Sequence, residues 1–471
     1  MNRKFIRYFN IMADIIRAVL NNGTFDERDY QSVLCDEECE PYDIITDCVP
    51  ALFVRGDGNI SPASLKLMEM DDYFFTNLEE LVGGANKYVL MLLLYYMDRA
   101  IVECYNGLIC FEDEVTIAES LNSNREENDI YLLKKTKCKW ASRQIGDGLS
   151  GILHNFYYID NKKISGIVAR NYILDSNLLR GIEQNSLRVA VSPVTKEKIV
   201  EFSEPYERKN EETGASQRYF RVENIINESL LLEIILNNIY IAGQNNVDIL
   251  VFPEMLGTQS MLEQIIERLK SDSAPFPTLI VFPSIWQKTE NDGNNNNQSC
   301  VLLNGELLFS QHKYCNFKYK VGEKPVYEDI NRNKDESKII HMIHIEGIGR
   351  ICIIICYDYL DKGNRDKIMD NLVPTLVCSP SFSTGSFNFA VLSEKYLSEG
   401  CNWVWCNTCS AAHETEKEEN FKIVGVITML HKNWNMGEED LKKFLPGKFE
   451  CDRTECKECL CYADISLTVA K

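Results

Sequence analysis

Beyond residue 186 the chain repeats one pattern, in which short apolar runs rich in β-branched residues alternate with longer amphipathic stretches. This alternation limits the fold more than any other feature, because strands that alternate with helices predict an α/β architecture. Helical periodicity covers residues 222–242, 259–270 and 387–398. The predicted strands are 187–191, 247–252, 278–282, 299–303, 351–355, 375–377 and 402–406.

Residues 1–185 have a different pattern, with helical periodicity that is clearest at 86–103. A chain of 471 residues is also long for a single hydrophobic core. We therefore predict two domains, a helix-rich N-terminal region of unknown role at 1–185 and an α/β domain at 186–471. The N-terminal region is apolar enough to pack, so we expect it to bind a protein partner, cover an active site or mediate oligomerisation. The asparagine-rich tract 291–297 predicts an exposed loop.

The formal net charge of −20 disfavours nucleic acid as a direct ligand, because phosphate binding needs clustered Lys and Arg. It also disfavours an anionic membrane surface. The longest apolar stretch, 88–97, is too short to span a bilayer, and polar residues interrupt the apolar pattern at 3–20 as in an amphipathic helix. We therefore expect a cytoplasmic protein whose 18 cysteines are reduced by default.

Three short segments carry the residues best suited to chemistry. Glu254 follows the predicted strand 247–252, Lys313 follows a predicted hairpin with an Asn304-Gly305 turn, and Cys356 ends the apolar run 351–355. In α/β folds, functional groups collect at the carboxyl ends of strands, so these three side chains are candidates for a common site.

A carboxylate, an ammonium and a thiol together suit nucleophilic catalysis. Glu254 can take a proton from the Cys356 thiol and later return one to a leaving amine, and a neighbouring base or cation favours the thiolate, so we expect a lowered thiol pKa. Lys313 and the backbone N–H of Tyr357 can stabilise the oxyanion of a tetrahedral intermediate. Taken singly, each residue also has a structural interpretation, namely a buried thiol, a helix-start carboxylate and a surface lysine.

The segments Phe-Pro-Glu, His-Lys-Tyr and Ile-Cys-Tyr-Asp, in that order, resemble the nitrilase superfamily of carbon–nitrogen hydrolases over 186–467. The resemblance implies a four-layer αββα sandwich with Glu254 as general base, Lys313 as electrostatic stabiliser and Cys356 as nucleophile. Many members use a second glutamate after the lysine. Glu323, in a Val-Gly-Glu segment, is the better match, and Glu328 is the second candidate.

Tyr357-Asp358 after the nucleophile resembles amidase and carbamoylase branches more than true nitrilases. We therefore predict an amidase-like hydrolase that cleaves a non-peptide C–N bond of a small molecule through a cysteine thioester, without a cofactor for catalysis. Residues 192–221 and 359–362 depart from the amidase pattern and leave the substrate open. The family also suggests a homo-oligomer. The alternative is a catalytically silent scaffold of nitrilase fold or an accessory component of a larger assembly, such as an antiviral defence system.

Four cysteines near the C-terminus have the spacing C-x4-C-x2-C-x-C. Four thiolates suit a structural zinc ion, and the close spacing resembles a zinc knuckle. The second pair also belongs to a predicted strand at 459–467, where two buried thiols are the simpler interpretation. The candidate ligands are Cys451, Cys456, Cys459 and Cys461.

Overall fold

The structure is a computed structural model. The structure describes residues 2–21, 40–55, 60–106, 114–122, 129–140, 149–209, 214–288, 295–330, 337–415, 421–430, 442–448, 450–452 and 456–467. The chain forms two compact units, one of Met1–Lys137 with Arg143–Ser165 and the other of Cys138–Ser142 with Gly166–Lys471. No described helix combines the length and the apolar character that crossing a bilayer requires.

The first unit is rich in helices, as its periodicity predicted. The helix Lys87–Ala100 lies at its centre, and all but four of its residues are buried. Asn86 caps this helix by accepting hydrogen bonds from the N–H groups of Tyr88 and Val89. The α-helices that the structure describes in this unit are Arg3–Asn21, Glu40–Cys48, Asp72–Gly84, Lys87–Ala100, Val102–Asn106 and Leu149–Ile152, and the described strands are Phe53–Arg55, Ile60–Pro62, Val115–Ala118, Ile130–Lys134 and Phe156–Asp160.

Two sheets form the centre of the second unit. The first contains, in order, β14 (Ile285–Lys288), β15 (Asn295–Leu303), β13 (Leu279–Val281), β12 (Ile249–Val251), β7 (Ser186–Val191) and β25 (Cys461–Ser466), and β16 (Glu306–His312) pairs with β15. The second contains, in order, β24 (Lys442–Pro446), β23 (Ile423–Thr428), β22 (Asn402–Cys406), β21 (Leu376–Pro380), β20 (Gly349–Ile353), β19 (Lys338–Ile345) and β6 (Ile167–Leu174).

These sheets pack face to face, with β7 and β12 against β21 and β22. The helices Glu228–Gln244 and Gln259–Ser271 share one apolar core with the outer face of the first sheet. The helix Phe387–Ser398 lies against β22 and β23 of the second. Helix, sheet, sheet and helix therefore form four layers, and the predicted αββα architecture is confirmed.

A smaller sheet contains β17 (Lys318–Val321), β18 (Lys324–Glu328), β10 (Ser216–Phe220) and β9 (Tyr206–Lys209), in that order. A separate pair joins β8 (Val200–Phe202) to β11 (Val222–Ile225). The start of the predicted helix 222–242 is therefore a strand, and the helix begins only at Glu228, after Asn227 adopts a left-handed conformation with φ 55°. The short helices Arg180–Glu183, Tyr357–Leu360 and Lys362–Asn371 complete the helices of this unit that the structure describes.

Two boundaries differ from the sequence prediction. The second unit contains Cys138–Ser142 and the chain from Gly166 onward, whereas the sequence prediction began this domain at 186. The strand β6 belongs to it because it pairs with β19 in parallel over its whole length. The prediction of a loop at 291–297 is wrong for its last three residues, because they begin β15. Asn295 and Asn297 are buried there and form hydrogen bonds with carboxylates. The polar side chains that had suggested exposure to solvent therefore lie inside the protein. Residues 291–294 lie outside the described residues.

Candidate active site

The structure brings together the three residues that the sequence singled out. Glu254 follows β12 in one sheet, Cys356 follows β20 in the other, and Lys313 follows β16 directly. Because the two sheets face each other, the ends of these strands meet in the interior. The side chains of Glu254 and Lys313 are completely buried, and Cys356 is only 3% exposed.

The backbone at Cys356 is held in an uncommon conformation. Its φ of 44° lies in the left-handed region that few residues other than glycine adopt. The N–H of Cys356 donates to the carbonyl oxygen of Pro380 at 2.9 Å, and the N–H of Glu254 donates to Ser381 at 3.2 Å. Met255, next to Glu254, has a φ of 64°. Backbone strain at two neighbouring positions is typical of functional sites, where the surrounding fold enforces it.

Lys313 lies between two carboxylates. Its ammonium nitrogen Nζ is 2.7 Å from Oε1 of Glu254 and 2.5 Å from Oε2 of Glu328. Asn297 joins the same carboxylates, because its Nδ2 donates to Oε1 of Glu254 at 2.8 Å and to Oε1 of Glu328 at 3.1 Å. Ser284 donates to Oδ1 of Asn297 at 2.7 Å and so fixes the orientation of the amide. Each member of this buried network therefore has polar partners, as burial of charge requires.

Backbone donors offset the excess negative charge of two carboxylates around one ammonium. The N–H of Phe382 donates to Oε2 of Glu254 at 2.9 Å, and the N–H of Phe317 donates to Oε2 of Glu328 at 3.2 Å. Such charge-assisted bonds stabilise a buried carboxylate more than neutral ones do.

The glutamate that lies beside Lys313 is Glu328 and not Glu323, which the sequence analysis preferred. Glu323 lies in the turn between β17 and β18, where its side chain is exposed. Glu328 ends β18 with its side chain buried beside Lys313. The motif resemblance placed the glutamate at the turn, but the strand that follows the turn carries the carboxylate inward.

Burial and the neighbouring charges act in opposite directions on this cluster. Burial alone lowers the pKa of Lys313, yet contact with Glu254 and Glu328 raises it well above its usual value, so the ammonium stays charged. Burial, opposed by Lys313, raises the pKa of Glu328. Burial and the Glu254 carboxylate raise the pKa of the Cys356 thiol well above its usual value, and Lys313 opposes them only in part. The lowered thiol pKa expected from the sequence is therefore wrong, because the thiol is buried next to an anion.

Two further residues hold the loops of the site, and sequence reasoning missed their roles. The Asp358 carboxylate accepts hydrogen bonds from the N–H groups of Tyr314, at 2.9 Å, and Cys315, at 2.6 Å, directly after Lys313. The Asn407 side chain forms two hydrogen bonds with the backbone of Ser383, next to Phe382. The sequence signals were the Tyr-Asp pair after the nucleophile and the asparagine that follows β22, but neither identifies a contact.

Tyr357, whose N–H was predicted to stabilise an oxyanion, begins the helix Tyr357–Leu360. Its N–H is one of those that have no acceptor within the helix. The oxyanion role of this N–H stays a prediction.

The zinc site at the four C-terminal cysteines stays a prediction. Within the described residues, which include all four, no group of three or more His, Cys, Asp or Glu could hold a metal ion. Cys456 accepts a hydrogen bond from the backbone N–H of Lys196 at 3.3 Å, and burial raises its pKa. Cys459 and Cys461 are buried, and Cys461 lies in β25.

No protein-family model and no curated protein matches the sequence. Solved structures match part of it. The glutamine-dependent NAD+ synthetase from Acinetobacter baumannii matches with a TM-score of 0.33 and 17% identity over 47% of this chain, and the match spans only 38% of the synthetase chain. The amidase from Nesterenkonia sp. has a TM-score of 0.37 and 12% identity, with 60% of this chain and 91% of the amidase covered.

A third match is Nit3 from Saccharomyces cerevisiae, a member of branch 10 of the nitrilase superfamily. Its TM-score is 0.31 and its identity 11%, with 60% of this chain and 90% of Nit3 covered.

Proposed function

We propose that this chain is a member of the nitrilase superfamily and acts as an amidase-like carbon–nitrogen hydrolase with Cys356 as nucleophile. One observation carries the proposal: Glu254, Lys313 and Cys356 form a single buried cluster, in which the Lys313 ammonium pairs with the Glu254 carboxylate at 2.7 Å and both charges act on the Cys356 thiol. A nucleophile, a base within hydrogen-bonding reach and a fixed cation are the minimum set for acyl transfer.

In the first half of the reaction, the Cys356 sulfur forms a bond to the carbonyl carbon of the substrate while the thiol proton passes to Glu254. The carbonyl oxygen becomes an oxyanion. Two donors of the Lys313 ammonium are directed at carboxylates, which leaves the third, together with the N–H of Tyr357, to stabilise that oxyanion. The C–N bond then breaks, and Glu254 returns the proton to the departing nitrogen, giving ammonia or an amine and a thioester.

In the second half, Glu254 takes a proton from water, whose oxygen attacks the thioester carbon. The C–S bond breaks, the proton returns to the sulfur, and a carboxylic acid leaves. Glu254 thus acts alternately as base and acid, and Glu328 keeps Lys313 charged and in place. The raised pKa of the Cys356 thiol fits this scheme, because the proton moves only when substrate excludes water and the base accepts it.

The test measures ammonia release from a panel of amides, carbamoyl compounds and nitriles, together with the intact mass of the 54.2 kDa chain after rapid quenching. We expect turnover of amides and a mass increase equal to the acyl group, both lost in Cys356→Ala. Cys352→Ala, a buried thiol on β20 of the same sheet, is the matched control and should keep both. No release from any compound in the panel, or release that persists in Cys356→Ala, would favour the silent scaffold instead.

A further inference from the structure

Six aromatic side chains form a continuous series of ring contacts that begins and ends beside the nucleophile. We call them the aromatic enclosure, and they are Phe202, Phe220, Phe317, Tyr319, Tyr357 and Phe382. Adjacent ring centroids are 5.3 to 6.4 Å apart, and four of the five contacts are edge-to-face. These are the distances and orientations that aromatic pairs prefer.

Both ends of the series adjoin Cys356. Tyr357 follows it in the chain, and the sulfur of Cys356 lies 4.0 Å from the carbonyl oxygen of Phe382. The N–H of Phe382 holds the carboxylate of Glu254. The enclosure and the nucleophile therefore form a closed loop of neighbouring residues.

Two members of the series, Phe220 and Phe317, pair or hydrogen-bond with Glu328. Phe220 lies opposite Glu328 in the parallel pairing of β10 with β18. Phe317 donates its N–H to the Glu328 carboxylate, and its carbonyl accepts the N–H of Glu328 at 2.7 Å. The small sheet thus positions the aromatic side chains and the catalytic cluster together.

The enclosure is packed but not covered. Among its members only Phe220 counts as buried, and Tyr319 is 37% exposed. Another aromatic group differs in this respect, because Tyr359 stacks on Trp403 and Trp403 on Trp405, yet each of the three is at most 1% exposed and belongs to the core. Aromatic surface that remains accessible around a catalytic group is typical of a ligand site.

Charges of both signs act on Tyr319, namely those of Arg218, Glu204 and Glu414. A charged substrate would need a fixed counter-charge, whereas an uncharged aromatic group needs only the ring edges and faces.

We propose that the aromatic enclosure binds the acyl portion of the substrate and selects an uncharged aromatic acyl group attached to the amide carbonyl. This inference rests on the proposed amide hydrolysis and adds its substrate class. An acyl ring held between Phe202 and Tyr319 would present its carbonyl carbon to the Cys356 sulfur. Small aliphatic amides would bind at the same cluster without contacting the aromatic rings.

The experiment compares phenylacetamide with acetamide in the full chain. We expect kcat/KM for phenylacetamide to exceed that for acetamide at least about tenfold, since filling an apolar pocket changes kcat/KM by about this much or more. Tyr319→Ala and Phe202→Ala should each lower the ratio of the two kcat/KM values by about tenfold. Phe444→Ala, which removes a half-exposed aromatic ring from β24, is the matched control and should leave the ratio unchanged. A wild-type ratio near one, or an equal loss in Phe444→Ala, would overturn the inference.

Binding to Cys356→Ala separates this inference from the proposed chemistry. Phenylacetamide should bind this variant in a calorimetric titration, and adding Tyr319→Ala should weaken the binding about tenfold. If no amide is hydrolysed but this binding is found and weakened, the enclosure stands and the hydrolase proposal falls. If acetamide is hydrolysed but phenylacetamide does not bind, the hydrolase proposal stands and the substrate class is wrong.

Discussion

The ammonium nitrogen of Lys313 lies 2.5 Å from a carboxylate oxygen of Glu328, and both side chains are completely buried. Removing one partner of such a pair leaves the other charge buried without compensation, which is strongly destabilising. The position of Lys313, and therefore the donor available to an oxyanion, depends on this contact. Glu328 is thus a positioning residue for the proposed reaction.

We expect Glu328→Gln to lower kcat about 100-fold or more, the loss typical when an oxyanion donor is displaced. Glu323→Gln is the matched control, because it makes the same change at the exposed turn of the same hairpin. It should retain wild-type kinetics. Steady-state ammonia release measures both, with circular dichroism to verify folding. Equal losses in the two variants would contradict the assignment.

Glu254→Gln, Lys313→Ala and Cys356→Ala should each abolish turnover, because all three act in one chemical step. The double variants should lose little beyond the single ones, since residues that act as a unit are strongly non-additive. Single-turnover kinetics on the three single and three double variants measure this. Additive losses would show that the three residues act independently.

Iodoacetamide should label Cys356 slowly at neutral pH and faster as the pH rises beyond 9. The reason is that the pKa of this thiol is raised by burial and by Glu254, so the thiolate fraction grows about tenfold per pH unit until that pKa is reached. Lys313→Ala should slow labelling further, because Lys313 lowers the thiol pKa. Peptide mass spectrometry from pH 7 to 10 ranks the sites, with the half-buried Cys104 as the reference. Faster labelling of Cys356 than of Cys104 at pH 7 would contradict the raised pKa.

Asp358→Asn should lower kcat by up to about 100-fold, because misplacement of a catalytic group by about 1 Å has that effect. Asp358 accepts both N–H groups that follow Lys313, and an asparagine offers only one acceptor oxygen. Asp361→Asn is the control, since Asp361 caps the helix Lys362–Asn371 and contacts none of the three proposed catalytic residues in the described hydrogen bonds. A wild-type kcat in Asp358→Asn would show that the loop is held by other contacts.

The stability of the fold should fall as the pH drops below 6.5, owing to two buried histidines of β19. Burial lowers the pKa of His341 to about 4 and that of His344 to about 3. Below pH 6.5 the unfolded chain binds protons that the folded chain does not, so each histidine should cost about 1.4 kcal/mol of unfolding free energy per pH unit. Urea unfolding at pH 7, 6 and 5 measures the slope, and His344→Gln should reduce it. An identical slope in His344→Gln would exclude this histidine as a cause.

The sequence by itself determined the architecture of the second unit and its three central residues. Alternating strand and helix periods are local properties, and they placed β7 and β22 within a residue of their observed bounds. The Asn304-Gly305 turn was equally predictable from the sequence, because the two residues adopt positive φ angles of 49° and 79°, which asparagine and glycine tolerate best. The order of Glu254, Lys313 and Cys356 completed the resemblance.

Only the tertiary structure decided which residues join that set and in what protonation state. Glu328 rather than Glu323 lies beside Lys313 because β18 pairs with β10, a contact between segments far apart in sequence. Asn297 belongs to the site rather than to a loop because β15 carries it between two carboxylates. The thiol pKa is raised rather than lowered because burial acts on Cys356 together with its neighbours. Pairing between distant strands and the exclusion of water are properties of the folded chain, and no local pattern of residues encodes them.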